Sequence, residues 1–315
     1  MSPPVDSGKL LGVGTVVVAS LLWGTTGTAA TFAPAVGPLA IGASAMGIGG
    51  LLQAFHARRA LAQSRDVLKA QRRLLALGAV AVAVYPLLFY SSMRLAGVAT
   101  GTVVSIGSSP PLAALIEWRA GSFRPTLQWA IGVLLGVCGI VLLSLAGTRS
   151  PQLVTSASGM AIGAVLALGA GFSYALYTWT ARSMMLRGAP RDAAMGATFG
   201  LGGLLLVPVL LATGAPFLAS WRNLGVGLYM AIVPMYIGYR FFGHGLARIS
   251  ASLATAVSLL EPAVATVLAV TIVHESLSAS GWLGIVLVMA CLALVTRMRT
   301  PPPASPRPPA GRMRP

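Results

Sequence analysis

Charge is scarce in this chain. Only 9% of its 315 residues are Asp, Glu, Lys or Arg, where a soluble domain carries roughly a quarter. With 56% apolar residues and a mean hydropathy of +0.82, that deficit excludes a soluble enzyme and implies a chain solvated mainly by lipid. Cysteine is nearly absent too. Cys138 and Cys291 both fall inside apolar runs, so neither a disulfide framework nor a zinc site can be assembled, and no metal or cofactor is expected. The acidic residues are equally few. Asp6, Asp66 and Asp192 lie outside the apolar runs, which removes a membrane aspartyl protease, and His274-Glu275 has no second His at the spacing a zinc protease needs. An intramembrane enzyme is therefore the weaker alternative. The chain also lacks a nucleotide-binding loop, which excludes ATP-driven transport within it, and a filter-like loop or charged ring, which argues against a channel.

Long apolar runs are what the chain has instead. A bilayer core needs about 20 apolar residues per helix. Ten such runs are read at roughly 11–32, 38–57, 74–93, 96–116, 127–147, 159–181, 194–213, 223–242, 249–273 and 279–296. The net charge of +16 would suggest nucleic-acid binding in a soluble protein, but the basic residues sit in the short gaps between runs. That is the pattern of cytoplasmic loops, so lipid and no nucleic acid is the expected partner. With ten spans, nineteen Lys and Arg fall on the side of both termini, against Arg94, Arg149 and Arg222 on the other. A multi-pass protein of the plasma (inner) membrane with both termini in the cytoplasm is expected. The Pro-rich, basic residues 298–315 read as a disordered tail.

The chain also repeats itself. Shifted by 151 residues, Gly12 falls on Gly163, Trp23 on Tyr174, Tyr85 on Tyr236 and Pro111 on Pro262. The spans divide five and five, giving a short N-terminus at 1–10, a first repeat at 11–147, a linker at 148–158 and a second repeat at 159–297. Because five is odd, tandem copies cross the membrane in opposite senses. This is the inverted-repeat plan of secondary transporters, with the solute near the midplane and the halves rocking for alternating access. Fusing both repeats in one chain makes a monomer sufficient, and the sequence leaves a dimer open.

Several residues now carry a resemblance. Ten spans in two halves, Trp23-Gly24 in the first run, Pro111 and Glu261-Pro262 late in the fourth and ninth, and Glu275 after the ninth resemble the drug/metabolite transporter superfamily, in particular its EamA-like exporters. The stretch LLWGTTGTAA and the aromatic residues of the presumed cavity helices are most similar to bacterial aromatic amino-acid exporters. The first half departs from the pattern, with Arg124 at the position of Glu275 and Glu117 seven residues earlier. The resemblance implies export of a small solute, with other metabolites or drugs of the same superfamily as the alternative cargo.

The candidate solute contacts are read from burial chemistry. Glu261 is the deepest carboxylate, placed mid-span before Pro262. An ionised carboxylate there must face a cavity or a partner, so it either contacts a substrate amine, couples to protons, or bonds to backbone freed by the proline. Ser258 shares its helix face. Trp23, Tyr85, Tyr174, Tyr177, Tyr236 and Tyr239 lie within runs rather than at the interfaces that Trp and Tyr usually occupy, and as a group they are expected to line a pocket. Thr26 and the stripe Thr102, Ser105 and Ser109 supply hydroxyls, although such residues often only bond to backbone. Pro86, Pro111, Pro234 and Pro262 are expected to kink the third, fourth, eighth and ninth helices around the path. Gly42, Gly47, Gly132 and Gly136 sit at the spacing that lets helices approach closely. Arg240, His56 and His244, near the span ends, read as structural. The fold class expected is an all-α membrane protein of ten transmembrane helices in two inverted five-helix repeats.

Overall fold

A computed structural model describes residues 7–146, 157–272 and 277–297. His274, Glu275, most of the expected linker and the basic tail lie outside these residues. Among the described residues every regular element is helical and no strand is present. The first half comprises α1 (Ser7–Thr31), α2 (Pro38–His56), the short α3 (Arg58–Gln63) and α4 (Arg65–Ala70), α5 (Arg72–Ala96), α6 (Val98–Arg119) and α7 (Leu127–Ala146). The second comprises α8 (Ala157–Leu186), α9 (Arg191–Thr213), a 3-10 turn (Ala215–Ala219), α10 (Trp221–Met230), a π-helical segment (Ala231–Gly238), α11 (Tyr239–Leu246), α12 (Ala251–Val257), α13 (Leu260–Ile272) and α14 (Ala279–Thr296).

Nine helical stretches among the described residues are long and apolar enough to cross a membrane, against the ten expected. The 22-residue α6 fills the place of the expected fourth span but stands outside that set. The basic gap after the second run is helical rather than a loop. In α3 and α4, Arg58, Arg59, Arg65 and Lys69 are exposed, while Leu68 packs on Ala193 and Ala197 of α9. A short amphipathic helix of this kind satisfies its own backbone while keeping its charges wet.

Small residues set the helix spacing. A Cβ on Gly50 of α2 would lie 2.2 Å from the carbonyl oxygen of Phe199 in α9, and a Cβ on Gly139 of α7 or on Gly284 of α14 would lie 2.7 Å from the other glycine's carbonyl oxygen. Without a hydrophobic driving force between helices in lipid, such backbone proximity supplies the dispersion contacts that hold them together. The packing partners come in matched sets. Helix α5 packs on α8 as α11 and the π segment pack on α1, and α6 packs on α8 as α13 packs on α1. The pairs α2 with α9 and α7 with α14 join corresponding members of the two halves.

Proline acts unequally on the backbone. The eighth expected span turns π-helical over Ala231–Gly238 around Pro234, and the ninth is interrupted between α12 and α13 just before Pro262. Pro262 has no N–H to give back to the preceding turn, so the chain tightens instead, with Glu261 N donating to Ser258 O at 3.0 Å. Helices α5 and α6, by contrast, run unbroken through Pro86 and Pro110-Pro111, with Pro111 exposed. No interruption like that of the ninth span occurs at these prolines.

Candidate functional site

Seven helical elements line one central cavity that is partly open to the surroundings. Helix α1 supplies Trp23 and Thr26, α5 supplies Tyr85, Pro86, Phe89 and Tyr90, and α8 supplies Tyr174 and Tyr177. The small residues Gly42 and Ala45 with Met46 form the α2 wall, Met235 and Tyr239 close the side of the π segment and α11, and Glu261 projects from the first turn of α13. The interruption of the ninth span thus delivers a carboxylate to the cavity at a point where the backbone is already irregular, which is where membrane proteins tolerate such a group.

The walls are aromatic and mutually braced. Tyr85 lies 5.8 Å from Tyr174 and 5.9 Å from Tyr177, ring centre to ring centre, and Trp23 lies 4.8 Å from Tyr239. Edge-on and tilted pairs at these separations are the favourable geometries for aromatic rings. Most polar tips are occupied. The Trp23 indole N–H donates to Pro234 O at 2.9 Å, a buried bond across the two halves that holds the π-helical turn. Tyr174 donates its hydroxyl proton to Ser258 Oγ at 2.9 Å, and the hydroxyls of Tyr177 and Tyr239 meet at 2.7 Å. The exceptions are informative. Among the described residues, the hydroxyls of Tyr85 and Tyr90 and the carboxyl group of Glu261 have no hydrogen-bond or ion-pair partner, and all three residues line the cavity. An aromatic box with two hydroxyls and one carboxylate left unbonded can take the rings or alkyl groups of a small amphipathic solute against its walls and a cationic or polar group at Glu261.

Of the residues expected from the sequence, Trp23, Thr26, Tyr85, Tyr174, Tyr177, Tyr239 and Glu261 meet at this cavity, and Pro86 forms part of its wall. Ser258 stands one layer behind, as the acceptor for Tyr174. Tyr236 does not join them, although it is only three residues from Tyr239. It lies within the π-helical segment outside the cavity lining, with its hydroxyl 3.2 Å from His56 Nδ1. Ser105 and Ser109 are buried in α6 away from the cavity, Ser109 donating to Ile106 O at 2.8 Å. Helix α6 packs closely on α8 here, since a Cβ on Gly171 of α8 would fall 2.6 Å from Ser105 O, while the Ser105 hydroxyl is buried without a hydrogen-bond partner. Phe89, Tyr90, Met46 and Met235 were legible only as apolar or aromatic residues within runs, and nothing in their spacing distinguished them from packing residues.

Glu117, the residue out of register with the terminal glutamate of the second half, also has a definite place. It is 3% exposed at the end of α6, and its two carboxylate oxygens accept from the backbone N–H groups of Ala251 and Ser252, each at 2.9 Å. These are orphan donors at the start of α12, so the carboxylate caps a helix belonging to the other half of the chain. Arg182 of α8 donates to the carbonyl of Leu246 on the same side of the bundle.

Comparison with known proteins was made against this geometry. The sequence pattern of the EamA-like transporter family matches the chain twice, over residues 10–145 and 161–297. The chain is similar to the uncharacterized transporter YwfM of Bacillus subtilis, 36% identical over 284 residues that cover 89% of this chain and 92% of that one. It is 27% identical to the protein PecM of Dickeya dadantii over 71% of this chain and 73% of that protein. It is also 27% identical to the threonine/homoserine exporter RhtA of Salmonella typhimurium, over 67% of this chain and 65% of that one. A protein of known crystal structure superposes with a TM-score of 0.72 over 92% of this chain and 96% of the other, at 22% identity, a likeness of fold.

Proposed function

Since the chain belongs to the EamA-like transporter family, and is therefore a multi-pass membrane transporter of small molecules and not an enzyme, we propose that it exports small neutral or zwitterionic amphipathic metabolites, amino acids including aromatic ones. The observation that carries this reading is the single carboxylate of Glu261, unbonded, in a cavity walled by Trp23, Tyr85, Tyr174 and Tyr177. A zwitterion can set its ammonium group against Glu261 and the faces of the rings, and its side chain against the remaining wall. The absence of any Lys or Arg among the cavity residues argues against polyanionic cargo such as sugar phosphates. RhtA, whose name states threonine and homoserine export, supports amino acids as a class and leaves aromatic selectivity to the cavity chemistry.

Transport proceeds in this reading by alternating access between two inverted repeats, 11–147 and 159–297. Its support is the double family match and the matched packing sets. α6 serves as the fourth of ten spans. Both termini are cytoplasmic in this reading, which is supported by the nineteen Lys and Arg that a ten-span order assigns to their side, against three on the other. The test is counterflow in proteoliposomes preloaded with one unlabelled amino acid and offered a trace of the same labelled compound. Saturable accumulation with Phe, Tyr, Trp or Thr is expected. Folded protein that shows counterflow with none of them would move the cargo to other metabolites or drugs.

A further inference from the structure

A second, smaller recess, partly open to the surroundings, lies at the basic end of the bundle between the last turn of α2, the start of α9 and α11. It shares one residue with the central cavity. Tyr239 lines both, and because its hydroxyl is tied to that of Tyr177 and its ring is packed on Phe199 at 4.4 Å, it stands as the partition between them. The recess brings Gln53, Arg191, Asp192 and Arg240 to one space, where the central cavity is lined mainly by aromatic residues. Gln53, 5% exposed, has an amide nitrogen with no hydrogen-bond partner, and burying such a donor unpaired costs free energy that a ligand acceptor would recover. Arg240 lines the same recess, and its guanidinium makes no ion pair among the described residues. Asp192, paired with Arg191 at 2.8 Å, borders the same space.

We infer that this recess is a cytoplasmic entry site for the exported solute, taking its carboxylate on the Gln53 amide and the Arg240 guanidinium before Tyr239 moves aside to admit it to the central cavity. The inference rests on the amino-acid reading above. Two facts give it chemistry complementary to the central site: the donors here are cationic and amide N–H groups suited to a carboxylate, whereas Glu261 is suited to an ammonium group. A zwitterion would thus be handed from a carboxylate-binding site to an ammonium-binding one. Tyr239 directly follows the π-helical segment, a winding frequent at functional sites.

The experiment is equilibrium binding of labelled L-threonine and L-phenylalanine to the purified full chain in nanodiscs. The wild type is compared with a central-cavity variant carrying Tyr85→Ala and Glu261→Gln, or Glu261→Gln alone where the double variant is not monodisperse. The central variant is expected to keep a weaker binding component for a probe the wild type binds. Adding Arg240→Gln, or separately Gln53→Leu, which preserves size, should weaken that component about tenfold or more, the effect of losing one charge-assisted or buried hydrogen bond. The α-amides of the same amino acids, which lack the carboxylate, should not compete for it. A central variant that binds neither probe while the wild type does overturns the entry site and leaves the exporter reading standing, as does a residual component indifferent to both substitutions. A wild-type chain that binds neither amino acid overturns the two readings together.

Discussion

The central cavity concentrates its chemistry in single side chains whose neighbours leave them unbonded. Glu261 has no partner among the described residues, so Glu261→Gln keeps the shape and removes only the charge. Counterflow or its pH dependence between about pH 5 and 8 should be impaired if the carboxylate contacts an ammonium group or carries a proton. A rate unchanged across that range would leave Glu261 as an element of the helix break. Tyr85 stacks on Phe89 at 5.5 Å and contacts Tyr174 and Tyr177 edge-on or tilted. Replacing it by Ala should weaken apparent substrate affinity about tenfold, the loss of one or two aromatic contacts with the solute. Membrane abundance measured on the same samples checks this, since a matching loss of abundance would return the ring to packing.

Helices are held to one another by devices that differ in chemistry. Glu117 satisfies two backbone donors of α12 from α6. Glu117→Ala would leave both N–H groups buried without an acceptor and should destabilise the bundle by about 2–4 kcal/mol. Glu117→Gln, which keeps one acceptor oxygen, should fall between the two in thermal stability in detergent; equal melting of all three would show that the cap contributes nothing. Gly50 is constrained in another way. Its missing Cβ would meet the Phe199 carbonyl at 2.2 Å, and backbone cannot swing aside as a side chain can. Gly50→Ala should push α2 from α9 and cost about 1–3 kcal/mol, visible as reduced yield of monodisperse protein. Gly14→Ala meets nothing within 4 Å and should be neutral in the same assay.

At the scale of the whole molecule, the basic residues and the pattern of helix packing bear on one question, which way the bundle faces. A fluorescent protein fused to the C-terminus should fluoresce, and alkaline phosphatase inserted between residues 147 and 156 should be active. The reverse pattern would invert the orientation and place the polar recess of Gln53 and Arg240 outside the cell. Much of this was legible before any coordinates. The long apolar runs became helices with ends close to those expected, because in lipid every backbone N–H must be bonded within its own segment and hydropathy alone then fixes the element. The aromatic set was legible for a similar reason, since Trp and Tyr placed mid-span are far from the interfaces they otherwise prefer.

Register between helices was not legible. Sequence spacing placed Tyr236 and Tyr239 on one face, and it could not foresee that Tyr236, within a π-helical segment around Pro234, would meet His56 outside the cavity lining and leave Tyr239 alone between two cavities. Spacing marked a hydroxyl stripe on α6 for the solute path, but Ser105 and Ser109 are buried outside the cavity lining where α6 packs closely on Gly171 of α8. Glu117 read only as a departure from the repeat until its carboxylate was seen on the far half's helix terminus. Composition and hydropathy are local properties, and they determined that this chain is a helical membrane protein with a carboxylate and aromatic rings at mid-depth. Which of those groups remain unbonded and face one space depends on contacts between segments as many as 238 residues apart, from Trp23 to Glu261, and only the tertiary structure decided that.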